Sequence, residues 1–371
     1  MSPAIRTAFH FCASMLENLS DNLPEYRLNH ALHTPAPIST ITFGNSGHLF
    51  AGSDDGSLRV YDLSSFKVCK AIRGLPAEIS SVCCFKRSGS HLRDIWLACG
   101  RQAYSFQMDL EKLVLTAADA TASVELCNEE DVLNELALNS SKSHLAFSTD
   151  SGAVGVMDLS TKTITRMKTG HSSICGIVRF IPDRPREIVS GGYDSCLLHF
   201  DFLQGAVLSR RDIPPFAAAG GMSLSPPFIM SAAMATNGVM AAGTADGRLW
   251  LGFGGEKGGP TKSAKKKRSR KWEGFNPEDE HLEKIAEGPI VAMAFSDPST
   301  LTVSTLLGSI KQYRIVFQEG QELQLVKIWE GQTSAIGKVN ALIIDERRFI
   351  VAGLTDAAKG IIEIWNRESP P

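Results

Sequence analysis

One hairpin recurs along this chain, and its recurrence restricts the fold more than any other feature. In "AGSDDGSLRVYDL" (51–63) a run of small residues meets a strand in which Leu58 and Val60 share one face. The Asp-Gly between them is expected to supply the positive φ angles of a tight turn. The same pattern returns in "AFSTDSGAVGVMDL" (146–159), "VSGGYDSCLLHFDF" (189–202), "AAGTADGRLWLGF" (241–253), "VSTLLGSIKQYRI" (303–315) and "VAGLTDAAKGIIEIWN" (351–366). A shorter version, "LACGRQAYSFQMDL" (97–110), follows the first. Measured at the strand ends, from Asp62 to Asn366, the spacings are 47, 49, 43, about 53, about 60 and 52 residues. Repeats near this period are the signature of propeller blades, with the longer spacings assigned to loop insertions.

Each hairpin is preceded by an apolar or alternating run: "ISTITF" (38–43), "ISSVCCF" (79–85), "VLNELAL" (132–138), "ICGIVRF" (174–180), "PIVAMAF" (289–295) and "KVNALII" (338–344). Such runs suit strands covered on both faces by neighbouring blades. The fifth unit is the weakest, because "GGMSLSPPFIMSAAM" contains two prolines, which cannot donate to a ladder.

These repeats resemble the WD-repeat β-propeller family over residues 25–368. The best match is "GHSSICGIVRFIPDRPREIVSGGYDSCLLHFD" (170–201). The resemblance places Gly170-His171 at the family's Gly-His, Ser190 on the second strand, Asp194 in the tight turn and Phe200-Asp201 at the Trp-Asp position. It implies a hydrogen-bonded brace of His171, Ser190 and Asp194 within a blade, with Phe200 lacking the indole donor. Only Trp365-Asn366 keeps a tryptophan there. Asp55, Asp246 and Trp365 are expected to serve their own blades in the same structural way.

The expected fold is therefore all-β: a seven-bladed WD-repeat β-propeller closed by an N-terminal outer strand in the last blade. "GIIEIWNRESPP" ends just after a third strand, so "PEYRLNHAL" (24–32) is expected to pair beside residues 361–366, since an open ring would expose an unpaired edge. Residues 1–22 read as an N-terminal extension, and 23–369 as one propeller domain with a disordered basic insertion at 255–281.

That insertion concentrates charge. "KGGPTKSAKKKRSRK" (257–271) holds eight of the 38 Lys and Arg, leaving 30 basic against 40 acidic residues elsewhere, a net charge of −10. Too polar to bury itself, it is expected to stay solvated. It reads as a solubilising loop, as a nuclear localisation segment at Lys265, Lys266, Lys267, Arg268, Arg270 and Lys271, or as a weak nucleic-acid tether, electrostatic and without sequence preference. Nucleus and cytoplasm are the expected compartments. No apolar run is long enough for a membrane helix, and the first twenty residues lack the basic and apolar regions of a secretory signal.

No catalytic constellation emerges. Eight cysteines lie scattered without C-x-x-C spacing and read as reduced, mostly core residues. "GGEKGGPTK" (254–262) has Pro260 where a phosphate loop needs its lysine. No metal or cofactor is expected. His171, Ser190 and Asp194 invite comparison with a hydrolase triad, but the family uses these residue types for bracing, and no oxyanion hole is visible.

The expected function is that of a noncatalytic scaffold, a monomer within a complex of other proteins. Candidate partner-binding positions are Thr34, Pro35, Glu78, Ser172 and Pro289, in loops entering the inner strands. As an alternative, the resemblance implies a substrate receptor docking on the adaptor of a cullin-RING ubiquitin ligase. That docking commonly uses an Arg two places after the repeat aspartate, where Asp62, Asp158 and Asp201 are instead followed by Ser64, Ser160 and Leu203. Trp365-Asn366-Arg367 brings its Arg one place early.

Overall fold

The computed structural model describes residues 23–44, 47–86, 94–215, 225–253, 272–316 and 323–368. Seven antiparallel sheets follow one another along the chain, each running from an inner to an outer strand. The inner strands are Ile38–Phe43, Ile79–Phe85, Leu133–Leu138, Cys175–Phe180, Ile229–Met234, Ile290–Asp297 and Lys338–Ile344. Successive inner strands touch, and the seventh touches the first, so the sheets are blades of a closed ring. The fifth inner strand begins after both prolines of its segment, which leaves its ladder intact.

Closure occurs as the sequence predicts. Tyr26–Thr34 is the outer strand of the seventh blade, pairing antiparallel with Gly360–Arg367 from Tyr26↔Arg367 to Thr34↔Gly360. The first blade carries an addition absent from the sequence reading. Val114–Leu115, from the second blade's long connection, runs parallel to Lys67–Ile72 and covers part of that outer edge.

Between each pair of adjacent blades lies one apolar cluster, seven seams in all. Burial at these seams, not within single blades, supplies the hydrophobic driving force, because one sheet alone has no partner for either face. Leu58 and Val60 both enter the seam between the first and second blades, as their shared face requires.

The turn between second and third strands differs from the expectation in one respect. At Ser53–Gly56 only Gly56 has positive φ, +72°, and its N–H donates to Ser53 O at 3.3 Å. The loop is thus a turn followed by one left-handed residue, and Asp55 keeps ordinary φ. Gly152, Gly247 and Gly308 repeat this at +86°, +83° and +84°, while Ser195 takes the same place at +60°.

Residues 254–271 lie outside the described residues, and so do 1–22. The part of the expected disordered insertion that is described, 272–281, belongs instead to the folded body. Trp272 and Phe275 are buried in the seam between blades four and five, and Glu280 opens that blade's outer strand. Two aromatic side chains, enough to anchor a short segment, follow directly on the basic run.

Candidate functional site: the braced entry face

Two kinds of loop share one face of the ring: those entering the inner strands, and the turns between second and third strands. Backbone bonds join them. Asp54 N donates to Pro37 O at 3.2 Å, Asp150 N to Val132 O at 3.0 Å, Tyr193 N to Ile174 O at 2.8 Å, Ala245 N to Phe228 O at 2.9 Å and Leu306 N to Pro289 O at 2.9 Å. Below this entry face a channel of about 450 Å³ runs between the inner strands of all seven blades.

Every inner strand carries a β-bulge at the same register, next to its first buried apolar residue. The bulged residue turns out of the ladder and toward the channel. Where it is polar it reaches the next blade: Ser39 Oγ donates to Ile79 O at 2.8 Å, Ser80 Oγ to Leu133 O at 2.6 Å, and Asn134 Nδ2 to Cys175 O at 3.1 Å. Asn340 Nδ2 donates to Ile38 O at 2.8 Å and joins the last blade to the first. Gly176, Met230 and Val291 have no donor at this position. In those seams Arg179 Nη2 donates to Ala232 O at 3.2 Å, Ser231 Oγ to Ile290 O at 2.6 Å, and Val339 N to Leu306 O at 2.8 Å.

The fourth blade contains the brace expected from the repeat. His171 is buried, with Nδ1 2.9 Å from Asp194 Oδ1 and Nε2 2.7 Å from Ser190 Oγ. Asp194 Oδ2 also accepts the Ser172 N–H at 3.1 Å. A neutral ring satisfies all these groups, donating from Nδ1 to the carboxylate and accepting the serine proton at Nε2. Burial, opposed by Asp194, holds the histidine below its ordinary range. The backbone of His171 is held from the other side, donating to Gly152 O of the third blade at 2.9 Å. The brace therefore joins two blades.

His171, Asp194 and Cys196 also offer metal-ligand atoms within 4.8 Å of one another. Both imidazole nitrogens are engaged, and burial pushes the Cys196 thiol up to about 12, so the cluster is satisfied as a hydrogen-bonded unit. Ser190 has no exposed surface, so no substrate carbonyl can reach its hydroxyl.

The other predicted structural residues work differently. Asp55 is exposed and accepts the Ser57 N–H at 3.0 Å, closing its own turn. The Asp246 side chain is only 6% exposed and pairs with Arg248, whose Nε donates to it at 2.8 Å. Arg248 Nη2 then reaches Pro214 O at 2.7 Å, in the loop entering that blade. In the seventh blade Trp365 Nε1 donates to Glu363 Oε2 at 3.1 Å. Buried Glu363 in turn accepts Ser334 N at 2.9 Å and Ala335 N at 2.6 Å, again in the entering loop. Histidine, arginine and glutamate thus perform one task in three blades. Arg248 and Glu363 were missed in the sequence, although a lone acid inside "GIIEIW" is a signal.

Of the partner-binding candidates, Pro35, Glu78 and Ser172 are exposed and Pro289 is half-buried, all on the entry face. Thr34 is buried, its Oγ1 donating to Ala36 O at 2.7 Å, so it does not offer a contact. It lies in the closing strand, whose register turns it inward. The basic residues Lys265, Lys266, Lys267, Arg268, Arg270 and Lys271 lie outside the described residues. Trp272, the first described residue after them, lies at the opposite face, where its N donates to Glu187 Oε2 at 2.9 Å and its Nε1 to Gly238 O at 2.9 Å. Glu187 also meets His199 Nε2 at 3.0 Å, a second buried polar network that the sequence did not reveal. Among the described residues no helix is long and apolar enough to cross a membrane.

Comparison with known proteins agrees with this architecture. A model of the family "WD domain, G-beta repeat" matches residues 27–62, the closing strand plus the first three strands of blade one. A curated relative, the WD repeat-containing protein 53 homolog of Dictyostelium discoideum, is 26% identical over 162 residues, 43% of this chain. The matched region spans 42% of that relative's own length.

Proposed function

Taking this chain as the WD40-repeat protein that its blades and these matches make it, we propose that it is a noncatalytic platform holding other proteins on its entry face. The observation that carries this reading is where the polar interactions go. The buried braces at His171, Arg248 and Glu363 each hold an entering loop to its blade. A rigid ring with preset loops binds at low ordering cost, the property a docking surface needs. The most reaction-like trio, Asp194, His171 and Ser190, is spent on that rigidity, with its hydroxyl sealed from solvent.

The test is co-purification of the tagged full chain at native expression, against an unrelated propeller of similar size. At least one protein is expected to accompany it in constant ratio, and to be lost when Pro35 and Ser172 are changed together to Glu. A chain that elutes alone at physiological salt overturns the reading.

A further inference from the structure

Resting on the platform reading and deepening it, we propose that the channel mouth on the entry face takes a peptide in which a Lys or Arg stands a few residues from an apolar or aromatic side chain. The mouth has two unlike halves. On blades one to three, Asp54, Glu78 and Asp150 are exposed around the rim. Asp150 accepts Asn134 Nδ2 of the channel wall at 3.0 Å, which places its carboxylate at the opening. No Lys or Arg pairs with Asp54 or Glu78 among the described residues. Burial and the neighbouring acid raise both above the ordinary carboxylate range, as expected of like charges left without a cation.

On blades four to six the described part of the rim adds half-buried aromatic and exposed aliphatic side chains to its acids, Asp194, Asp246 and Glu287. Tyr193 and Phe228 stack with ring centroids 5.5 Å apart and planes 9° from parallel. Tyr193 sits over Gly176 of the channel wall, where an added Cβ would lie 3.9 Å from its ring. Leu306 continues this half, and Leu307 beside it is 67% exposed. A half-buried aromatic pair and a large exposed leucine next to acids that no described Lys or Arg neutralises define complementary chemistry: a cation on one side, apolar area on the other.

A nucleic acid would be repelled by the same acids. The chain's own basic run is a poor occupant, because residues 257–271 contain no aromatic or large aliphatic residue, and Trp272 after them is buried near the opposite face.

A random peptide library displayed on phage and selected on the full chain tests this, with affinities of synthetic peptides read by fluorescence anisotropy. Selected peptides should carry a Lys or Arg near an aromatic or Leu, and should bind more weakly as salt rises. Asp54→Lys with Glu78→Lys should weaken them at least about tenfold and flatten the salt dependence, while Leu307→Ser with Phe228→Ser should weaken them similarly and leave it intact. Thermal unfolding of each variant controls for folding, and the exposed Leu307→Ser alone should still weaken binding. Deleting 257–271 should change nothing; tighter binding after deletion would make the chain's own segment the occupant and overturn the proposal. Selected peptides without a basic residue, peptides indifferent to both double variants, or no selected peptides at all would also overturn it. The platform reading would still stand or fall on co-purification.

Discussion

Asn340 donates its side-chain amide to the carbonyl of Ile38 at 2.8 Å, across 302 residues of sequence, and so ties the last blade to the first. The same seam holds the closing strand, and the two together make the ring continuous. Most of the stability of a ring should pass through this junction, since opening it exposes two sheet faces and an unpaired edge at once.

Tyr26 tests the closing strand from its other side, in the seam between blades six and seven. Its ring lies 5.2 Å from Trp329 of blade six and 4.9 Å from Phe349 of blade seven. Tyr26→Ala is expected to cost about 3–5 kcal/mol in urea unfolding, as for other buried aromatics. Tyr26→Phe should cost no more than about 1 kcal/mol, because Gln312, which donates to the hydroxyl at 3.3 Å, keeps Thr302 as a partner. Equal losses in the two variants would place the energy in the hydroxyl and refute the packing account.

His171 makes stability depend on pH. Its folded-state pKa lies below the ordinary value of 6.5, so the unfolded chain takes up a proton more readily. The contribution is fully present above about pH 6.5 and declines as pH falls through that value toward the lower folded-state pKa. Urea midpoints at pH 7.5 and pH 5.5 should therefore differ more in the native chain than in His171→Asn. An unchanged difference would mean that other groups carry the acid sensitivity.

Asp246 and Arg248 form a buried pair whose side chains are each 6% exposed. Asp246→Asn should destabilise by about 1–3 kcal/mol, because it removes the carboxylate to which the buried guanidinium's Nε donates. Changing both, Asp246→Asn with Arg248→Leu, should recover much of that loss. A double-mutant cycle from thermal unfolding measures the coupling, and simple additivity would deny that the pair acts as a unit.

The left-handed turn position yields two substitutions of opposite sign. At Gly152 a Cβ would meet His171 O at 2.3 Å, and φ is +86°, so Gly152→Ala should be destabilising by more than about 1 kcal/mol. Ser195 already occupies the equivalent place at φ +60°, and Ser195→Gly should be neutral or stabilising. Denaturation midpoints of the two variants, measured side by side, decide whether backbone strain is the operative cost.

Much of the architecture was legible before any coordinates. Three of the inner strands, Ile38–Phe43, Ile79–Phe85 and Lys338–Ile344, fall on the residues that the apolar runs mark. The closing strand follows from the last repeat's missing fourth strand. Of the braces, only that of blade four could be recognised, because His171, Ser190 and Asp194 stand at the repeat's own spacing. Arg248 and Glu363 look like ordinary polar residues in strands until their partners Pro214, Ser334 and Ala335 are brought beside them. Thr34 misled for the complementary reason: its place before an inner strand suggested exposure, and only pairing with Gly360 turns it inward.

By itself the amino-acid order determined an all-β ring, its number of blades and the manner of its closing, because strand periodicity and turn chemistry are local and repeat with the chain. Tertiary structure alone decided which polar groups are satisfied, that Trp272 anchors the end of the basic run, and that acids and aromatics share the channel mouth. Hydrogen bonds and rim chemistry depend on which blades become neighbours, and residues far apart in sequence carry no local pattern that records it.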